Sequence, residues 1–216
     1  MTNKPRIVGV TGLAGSGKDL FYELCRQELL LNNFNPCRVA LADELKKECR
    51  GASLEIFNID PTKCNRDQKS KIREHLVFYG LVKRLESEGQ HWISKVDLRI
   101  KELSDNCAVH GVPNPIYFVT DVRYDEYKKD ECDWIKNKEG GLLVHLRKRD
   151  LHYDESLKES YTYETPVNKQ EAVNDPKLRK KADVLIEWPD CGGDTSLQGL
   201  HLKPAAKSFV EKHILK

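Results

Sequence analysis

Apolar residues return along this chain with two different periods. Short runs rich in β-branched and aromatic residues, Arg6 to Val10, Arg38 to Leu41, Ile116 to Thr120, Leu142 to Leu146 and Val184 to Ile186, read as strands buried on both faces. Between them, apolar positions recur every three or four residues, the signature of helices with one buried side. The first helix is expected from about Lys18 to Leu31, with Leu20, Leu24 and Leu31 turned inward, and a second from near Asp43. Asp67 to Leu85 carries Ile72, Leu76, Tyr79 and Val82 at helical spacing, and Trp92, Val96, Ile100 and Leu103 repeat it. Asn106 to Pro115 reads as a loop, and a closing helix is expected from Pro204 with Phe209, Val210 and Ile214 on its apolar side. Strands alternating with helices predict an α/β domain: a five-stranded, mostly parallel sheet with helices on both faces. The stretch from Arg147 to Lys169, full of charge and tyrosine without an apolar period, breaks the rhythm and is expected to be a mobile lid.

Composition narrows this picture. At 216 residues and 39% hydrophobic content, one core and one domain, residues 1–216, are expected, with a helical region at about 60–105 and the lid at about 147–169. The 36 basic and 34 acidic residues nearly cancel to a net charge of +2, so no global field draws the chain to nucleic acid or an anionic membrane, and neither is an expected partner. Seven cysteines lie far apart with no C-x-x-C pair, which reads as reduced thiols of a cytoplasmic protein. There is no signal-peptide apolar region and no run of membrane-spanning length.

The chemistry is concentrated at Gly12 to Asp19, GLAGSGKD, between the first strand and the first helix. In that context G-x-x-x-x-G-K is a phosphate-binding loop. Gly12, Gly15 and Gly17 allow the positive φ angles that aim successive N–H groups, with those of Ala14 and Ser16, into one concavity, and Lys18 adds a cation at the positive end of the helix. The loop lysine is normally followed by Ser or Thr, whose hydroxyl binds magnesium; here the position is Asp19. Its carboxylate is either a hard magnesium ligand or a favourable charge in a first helical turn, and the two roles are compatible. Asp121 ends a core strand where α/β sheets bind ligands, as a magnesium carboxylate would, with Arg123 two residues on; the alternative is that the two cap the next helix and pair together. Arg73 and Arg84, about three helical turns apart, fall near one face and are candidates to clasp an anion. Arg147, Lys148 and Arg149 are either a solvated charge run or lid cations that reach the phosphates on closure. Phe78, Tyr79 and Trp92 fit a core or its rim better than a base-stacking platform.

These residues resemble the bacteriophage deoxynucleoside monophosphate kinases. The likeness lies in the GKD loop, in Ala40-Leu41-Ala42-Asp43-Glu44-Leu45-Lys46, in Arg73-x6-Gly80-x3-Arg84 followed by Trp92, in Asp121-Val122-Arg123-Tyr124, and in the Gly140–Val144 and Ala182–Ile186 segments, spanning about residues 5 to 188. The family's His-x-Ser-Glu lid segment has no counterpart beyond His152, Tyr153, Asp154 and Glu155. The resemblance implies a P-loop nucleoside monophosphate kinase fold and ATP- and Mg2+-dependent transfer of the γ-phosphoryl group to a nucleoside monophosphate. It implies that Gly12 to Asp19 hold ATP and that Arg73, Arg84 and Arg123 hold the acceptor phosphate, with Asp43 and Trp92 beside them. It further implies that Asp19 and Asp121 organise magnesium and that Lys18, Arg123 and Arg147 act on the moving phosphoryl group. Animal-type phosphomevalonate kinases share the GKD loop and the Arg-Gly-Lys-Arg spacing, so a phosphomevalonate kinase, a kinase of bases within DNA and a non-catalytic nucleotide-binding regulator stay open. Spacing fixes neither the accepted base nor the oligomeric state, and a homodimer is compatible with it.

Overall fold

In the computed structural model, the described residues are 7–153, 159–191 and 194–216. Five strands, β1 (Ile7–Thr11), β2 (Asn35–Val39), β3 (Pro115–Val122), β4 (Leu142–Tyr153) and β6 (Val184–Pro189), form a parallel sheet in the order β2-β3-β1-β4-β6. β5 (Glu159–Tyr163) pairs antiparallel with the distal half of β4, as a sixth strand. The α/β expectation holds, with helices on both faces. α1 (Lys18–Leu31) and α7 (Thr195–His213) cover one face, burying Phe21, Cys25, Leu29, Leu202, Phe209 and Val210 against Val8, Phe118, Val144 and Leu146. The other face packs Val119, Tyr117 and Leu143 against α2 (Leu41–Phe57), α4 (Gln90–Val109), the short α5 (Glu131–Asp133) with the π-helical turn Trp134–Lys138 behind it, and Leu178 of α6 (Lys169–Lys181). α3 (Arg66–Glu86) stands off the sheet and packs on α2 through Cys49, Ile72 and Leu76. Among the described residues no helix is long and apolar enough to cross a membrane.

Several boundaries differ from the pattern-based expectation, each for a physical reason. β2 ends at Val39 and α2 begins at Leu41, because the Asp121 carboxylate accepts the Leu41 and Ala42 N–H groups at 2.8 Å each and caps α2 from across the sheet. In α1 the buried face runs through Phe21, Leu24, Cys25 and Leu29, whereas Leu31 is 79% exposed, since two residues after the fully buried Leu29 it lies nearly opposite on the helix. α4 continues to Val109, through part of the expected loop. The region expected to be an irregular lid is largely a β-hairpin: β4 runs unbroken to Tyr153 and β5 returns along it, with arginine–tyrosine stacking in place of apolar alternation. Asp154 and Glu155, and the side chains of His152 and Tyr153, lie outside the described residues.

The last helix starts at Thr195, not at Pro204, because the Asp194 carboxylate accepts the Ser196 and Leu197 N–H groups. Pro204 therefore sits inside α7, where it removes one backbone hydrogen bond, while Leu202 and Ala206 on either side are fully buried. Packing outweighs propensity here. Since Pro204 itself is exposed, Pro204→Ala should stabilise the protein by about 1–3 kcal/mol. The check is a urea midpoint that rises at constant slope; a lower midpoint would mean that α7 needs the bend.

Candidate active site

The loop from Gly12 to Lys18 leaves β1 at the carboxyl edge of the sheet and runs into α1. Gly12, Gly15 and Gly17 all have positive φ, at 134°, 86° and 89°. At Gly12 a side chain is also barred by space: a Cβ would lie 2.3 Å from the Leu146 carbonyl oxygen and 2.7 Å from Ser16 Oγ. A Cβ on Gly17 would strike the Trp188 ring at 2.6 Å. The loop is thus seated on the ends of β4 and β6. Trp188, fully buried, donates its indole N–H to the Ser16 carbonyl at 3.1 Å and forms the floor. Ala14 and Gly15 make the exposed rim, and Ser16 is buried. No motif in the sequence marks Trp188, whose role comes from the parallel pairing of β6 with β4.

The Lys18 ammonium folds back over the loop, donating to the Gly12 and Leu13 carbonyls at 2.8 and 2.7 Å. Burial, reinforced by the Arg123 charge, pushes its pKa down to about 8, against the pull of Glu171, Glu164 and Asp121. Glu164, at the end of the β4–β5 hairpin, is half-buried and raised in pKa by that burial. Together with His145, which is buried and bonded to Asp175 at 2.8 Å, it belongs to the wall behind the loop. The sequence pattern singled out neither group, because strand pairing brings them there from distant positions.

Asp121 and Arg123 do meet at this edge. β3 carries one extra residue opposite β1, since Gly9 pairs with Val119 but Thr11 with Val122, and the bulge turns Asp121 toward α2. Asp121 is buried, and burial raises its pKa although the Ala42 N–H, Arg123 and the Leu41 N–H oppose this. Arg123 is exposed, and among the described residues its guanidinium has no hydrogen bond or ion pair. Asp19 does not cap α1 with its side chain. Its carboxylate is 80% exposed and 3.3 Å from Arg38, which also holds Asp43 at 2.8 Å, and Asp43 in turn binds Lys46 at 3.1 Å. Arg38, Asp43 and Lys46 of this chain of charges line a cleft of about 350 Å³ between the end of β2, the start of α2 and the middle of α4, together with Glu44, Lys47, Thr62 and Arg99.

The arginine pair does not assemble as expected. Arg73 is exposed on α3, whereas Arg84 is 3% exposed, bonded to Asp130 at 2.9 and 3.1 Å and to Glu131 at 3.2 Å, and stacked 3.8 Å above the Tyr124 ring. Three turns separate them by roughly 16 Å along the axis, so sharing a helix face does not let both hold one phosphate. Burial disfavours an ionised Asp130, but Arg84 overrides it and holds that carboxyl below its ordinary range. Trp92 is likewise core: buried, with its N–H on the Gly80 carbonyl at 3.2 Å, it ties α4 to α3. Arg147 stacks 3.2 Å over Tyr163 and lies 3.7 Å from Glu187, on the hairpin's own surface.

Magnesium delivered with nucleotide phosphates needs only one or two protein carboxylates, the rest of its shell being water and phosphate. Asp19 fits that role, with an exposed hard-oxygen group in the first turn behind Lys18. Asp121 fits it through lone pairs left over from the two N–H groups it accepts. Among the described residues no cluster of three or more metal-binding side chains exists, so a self-contained metal cage is not built there.

No family model matches this chain, and no curated protein matches it significantly. Among solved structures, a cysteine-to-alanine mutant of the Mycobacterium tuberculosis APS kinase CysC is similar, at 12% identity, with 96% of each chain covered and a TM-score of 0.36. At so low a score the reading of the site rests on its own geometry.

The lowered pKa of Lys18 has a definite sign. Below about pH 8 the ammonium is charged and able to attract phosphate; above it the nucleotide-free protein loses that proton, so triphosphate affinity should fall through this range and binding should take up a proton. Arg123→Ala removes a charge that favours the neutral amine, so it should move the break to higher pH. Calorimetry in buffers of different ionisation enthalpy measures the uptake, and a pH-independent affinity from 7 to 10 would contradict it.

Proposed function

We propose that this protein is a phosphotransferase that moves the γ-phosphoryl group of ATP onto a nucleoside monophosphate, with deoxynucleoside monophosphates as the acceptor class. The observation that carries the reading is the Gly12–Lys18 loop, with three positive-φ glycines, its lysine and a helix N-terminus, opening beside a basic-rimmed cleft. Phosphoryl transfer asks a protein mainly to hold two anions in line and to neutralise charge that develops between them. The loop N–H groups and Lys18 hold the donor. Arg123, exposed and with its charge felt at both Lys18 and Asp121, is assigned to the transferring group. Arg38, Lys46 and Arg99 make the cleft suited to an anionic acceptor, and Asp43 fixes Arg38 and Lys46 in place. Arg73, at the helical region's surface, is kept as an acceptor contact; Arg84 and Trp92 are not. Arg147, paired with β6 and stacked on Tyr163, is not assigned to the moving phosphoryl group. Asp19 and Asp121 are the residues that would hold magnesium carried with ATP, which would supply charge neutralisation on the phosphates.

The test is a phosphotransfer assay with ATP and magnesium against the common deoxy- and ribonucleoside monophosphates and phosphomevalonate. Turnover of a deoxynucleoside monophosphate is expected; ATP binding without turnover of anything in the panel would leave a nucleotide-binding regulator. Lys18→Ala should lower kcat by about a hundredfold or more, the cost of one preorganised charge-stabilising donor. Retention of over half the wild-type kcat would make the loop a structural turn.

Asp19 offers a separate check. If it holds the metal or its water, Asp19→Ala should raise the magnesium concentration for half-maximal turnover and Asp19→Thr should restore part of the loss. Its pairing with Arg38 is exposed and contributes only about 0–1 kcal/mol, so thermal stability should barely move in either variant. A wild-type magnesium midpoint in the alanine variant would remove Asp19 from the metal site.

A further inference from the structure

We propose that Arg84 and Glu131 are positioning residues that act through Arg123, holding its backbone in place beside the phosphate loop. The proposal rests on the phosphotransfer reading above. The segment that follows β3 has no regular structure of its own from Arg123 to Asp130, yet the amides of Arg123 to Tyr127 all donate to side chains. The Arg123 and Tyr124 N–H groups both donate to Glu131 Oε2, at 2.6 and 3.0 Å. The Glu126, Tyr127 and Glu131 N–H groups donate to Asp130, at 2.8, 3.3 and 2.9 Å. Five amides thus end on two adjacent buried carboxyl groups; burial pushes that of Glu131 up to about 8, with Arg84 and the Arg123 N–H opposing the rise.

One guanidinium holds these two carboxylates in register. Arg84 reaches Asp130 through both terminal nitrogens and Glu131 Oε1 through one, while its plane lies against Tyr124 from the same segment. Two buried acids on a single buried base are costly to desolvate, and an apolar plug of that volume would stabilise the fold at least as well. What the ionic arrangement adds is direction: every hydrogen bond it makes to the backbone fixes the path by which the chain leaves the carboxyl edge of the sheet. Arg123 is the residue at that exit, and its exposed side chain, whose charge is felt at Lys18, has no hydrogen bond of its own among the described residues. Its placement is therefore set from its backbone, and Glu131 and Arg84 set the backbone. The same link joins α3, which carries Arg84, to the donor side of the site.

The chemistry of Glu131 makes the idea specific. Its one oxygen on two N–H groups and its other on Arg84 require an acceptor at both ends. Glu131→Gln keeps an oxygen on the amides only by turning its NH2 group onto the Arg84 guanidinium, donor against donor. Arg84→Lys keeps the charge but loses the fork that spans both acids.

The experiment compares R84K, E131Q, R123A and the R84K/R123A double variant, each checked for a cooperative melt, in turnover of ATP with the best monophosphate found. R84K and E131Q should each lose kcat, by as much as about a hundredfold, as expected from displacing a transition-state contact. Their KM for ATP should change little, since the loop itself is untouched. In the R123A background R84K should have no more than about a twofold further effect, because its target is gone. Additive losses in the double variant, or an R84K protein that melts lower yet keeps most of its kcat, would overturn the proposal. Hydrogen exchange gives a readout independent of turnover: the Arg123 and Tyr124 amides should exchange faster in folded R84K and E131Q. Unchanged protection there sinks the positioning role even if the protein is a kinase. Faster exchange in a protein that transfers no phosphate would instead retain the backbone link and discard the phosphotransfer reading.

Discussion

Everything at the carboxyl edge depends on how closely the Gly12–Lys18 loop sits on β4 and β6. The absence of a side chain at Gly12 lets the backbone approach the Leu146 carbonyl, and Trp188 fills the space below Gly17 while bonding the Ser16 carbonyl. This contact is what turns a flexible glycine-rich turn into a fixed concavity, since the residues most free in φ are the ones packed most tightly from beneath. It also orders the strands. A loop seated on β4 and β6 requires β1 beside β4 and leaves β3 and β2 on the other side, with the exit of β2 at the basic cleft.

Around that seat the protein spends its polar groups on backbone amides more than on one another. Asp121 caps α2, Asp130 and Glu131 gather the exit from β3, and Asn174 accepts the Asp125 N–H at 3.1 Å. Each is a buried acceptor matched to N–H groups that irregular structure would otherwise leave unpaired, a loss of roughly 1–3 kcal/mol apiece. The result is a set of stiff connections exactly where an α/β sheet is least regular, which suits a reaction that depends on placement. The basic cleft is held differently, by partly exposed pairs such as Arg38 with Asp43, whose small net strength leaves the side chains ready to exchange a carboxylate for another anion.

Much of this was legible in the sequence. The five parallel strands, the first helix to the residue, and the loop with Lys18 follow from hydrophobic period and glycine spacing, because both are local properties. What escaped the pattern was set by partners far along the chain. Arginine spacing on α3 placed Arg73 and Arg84 on one face but carried no information about Asp130 and Glu131, nearly fifty residues on, which claim Arg84. Trp188, Glu164 and His145 reach the site only through strand register. The charged stretch after Leu146 shows no apolar alternation to mark it as a strand, because its sheet is stabilised by guanidinium–ring stacking.

The length of β4 carries one more consequence. Its twelve residues extend about 40 Å, and only the first part is clamped on both sides, by β1 up to His145 and by β6 up to Arg149. Beyond Arg149 the strand has β5 alone beside it. A strand that passes without a break from a clamped sheet into a two-stranded ribbon has no hinge at its root, so the ribbon behaves as a cantilever. Arg147, paired with Glu187 of β6, therefore keeps its place with the sheet and not with the outer part of the ribbon.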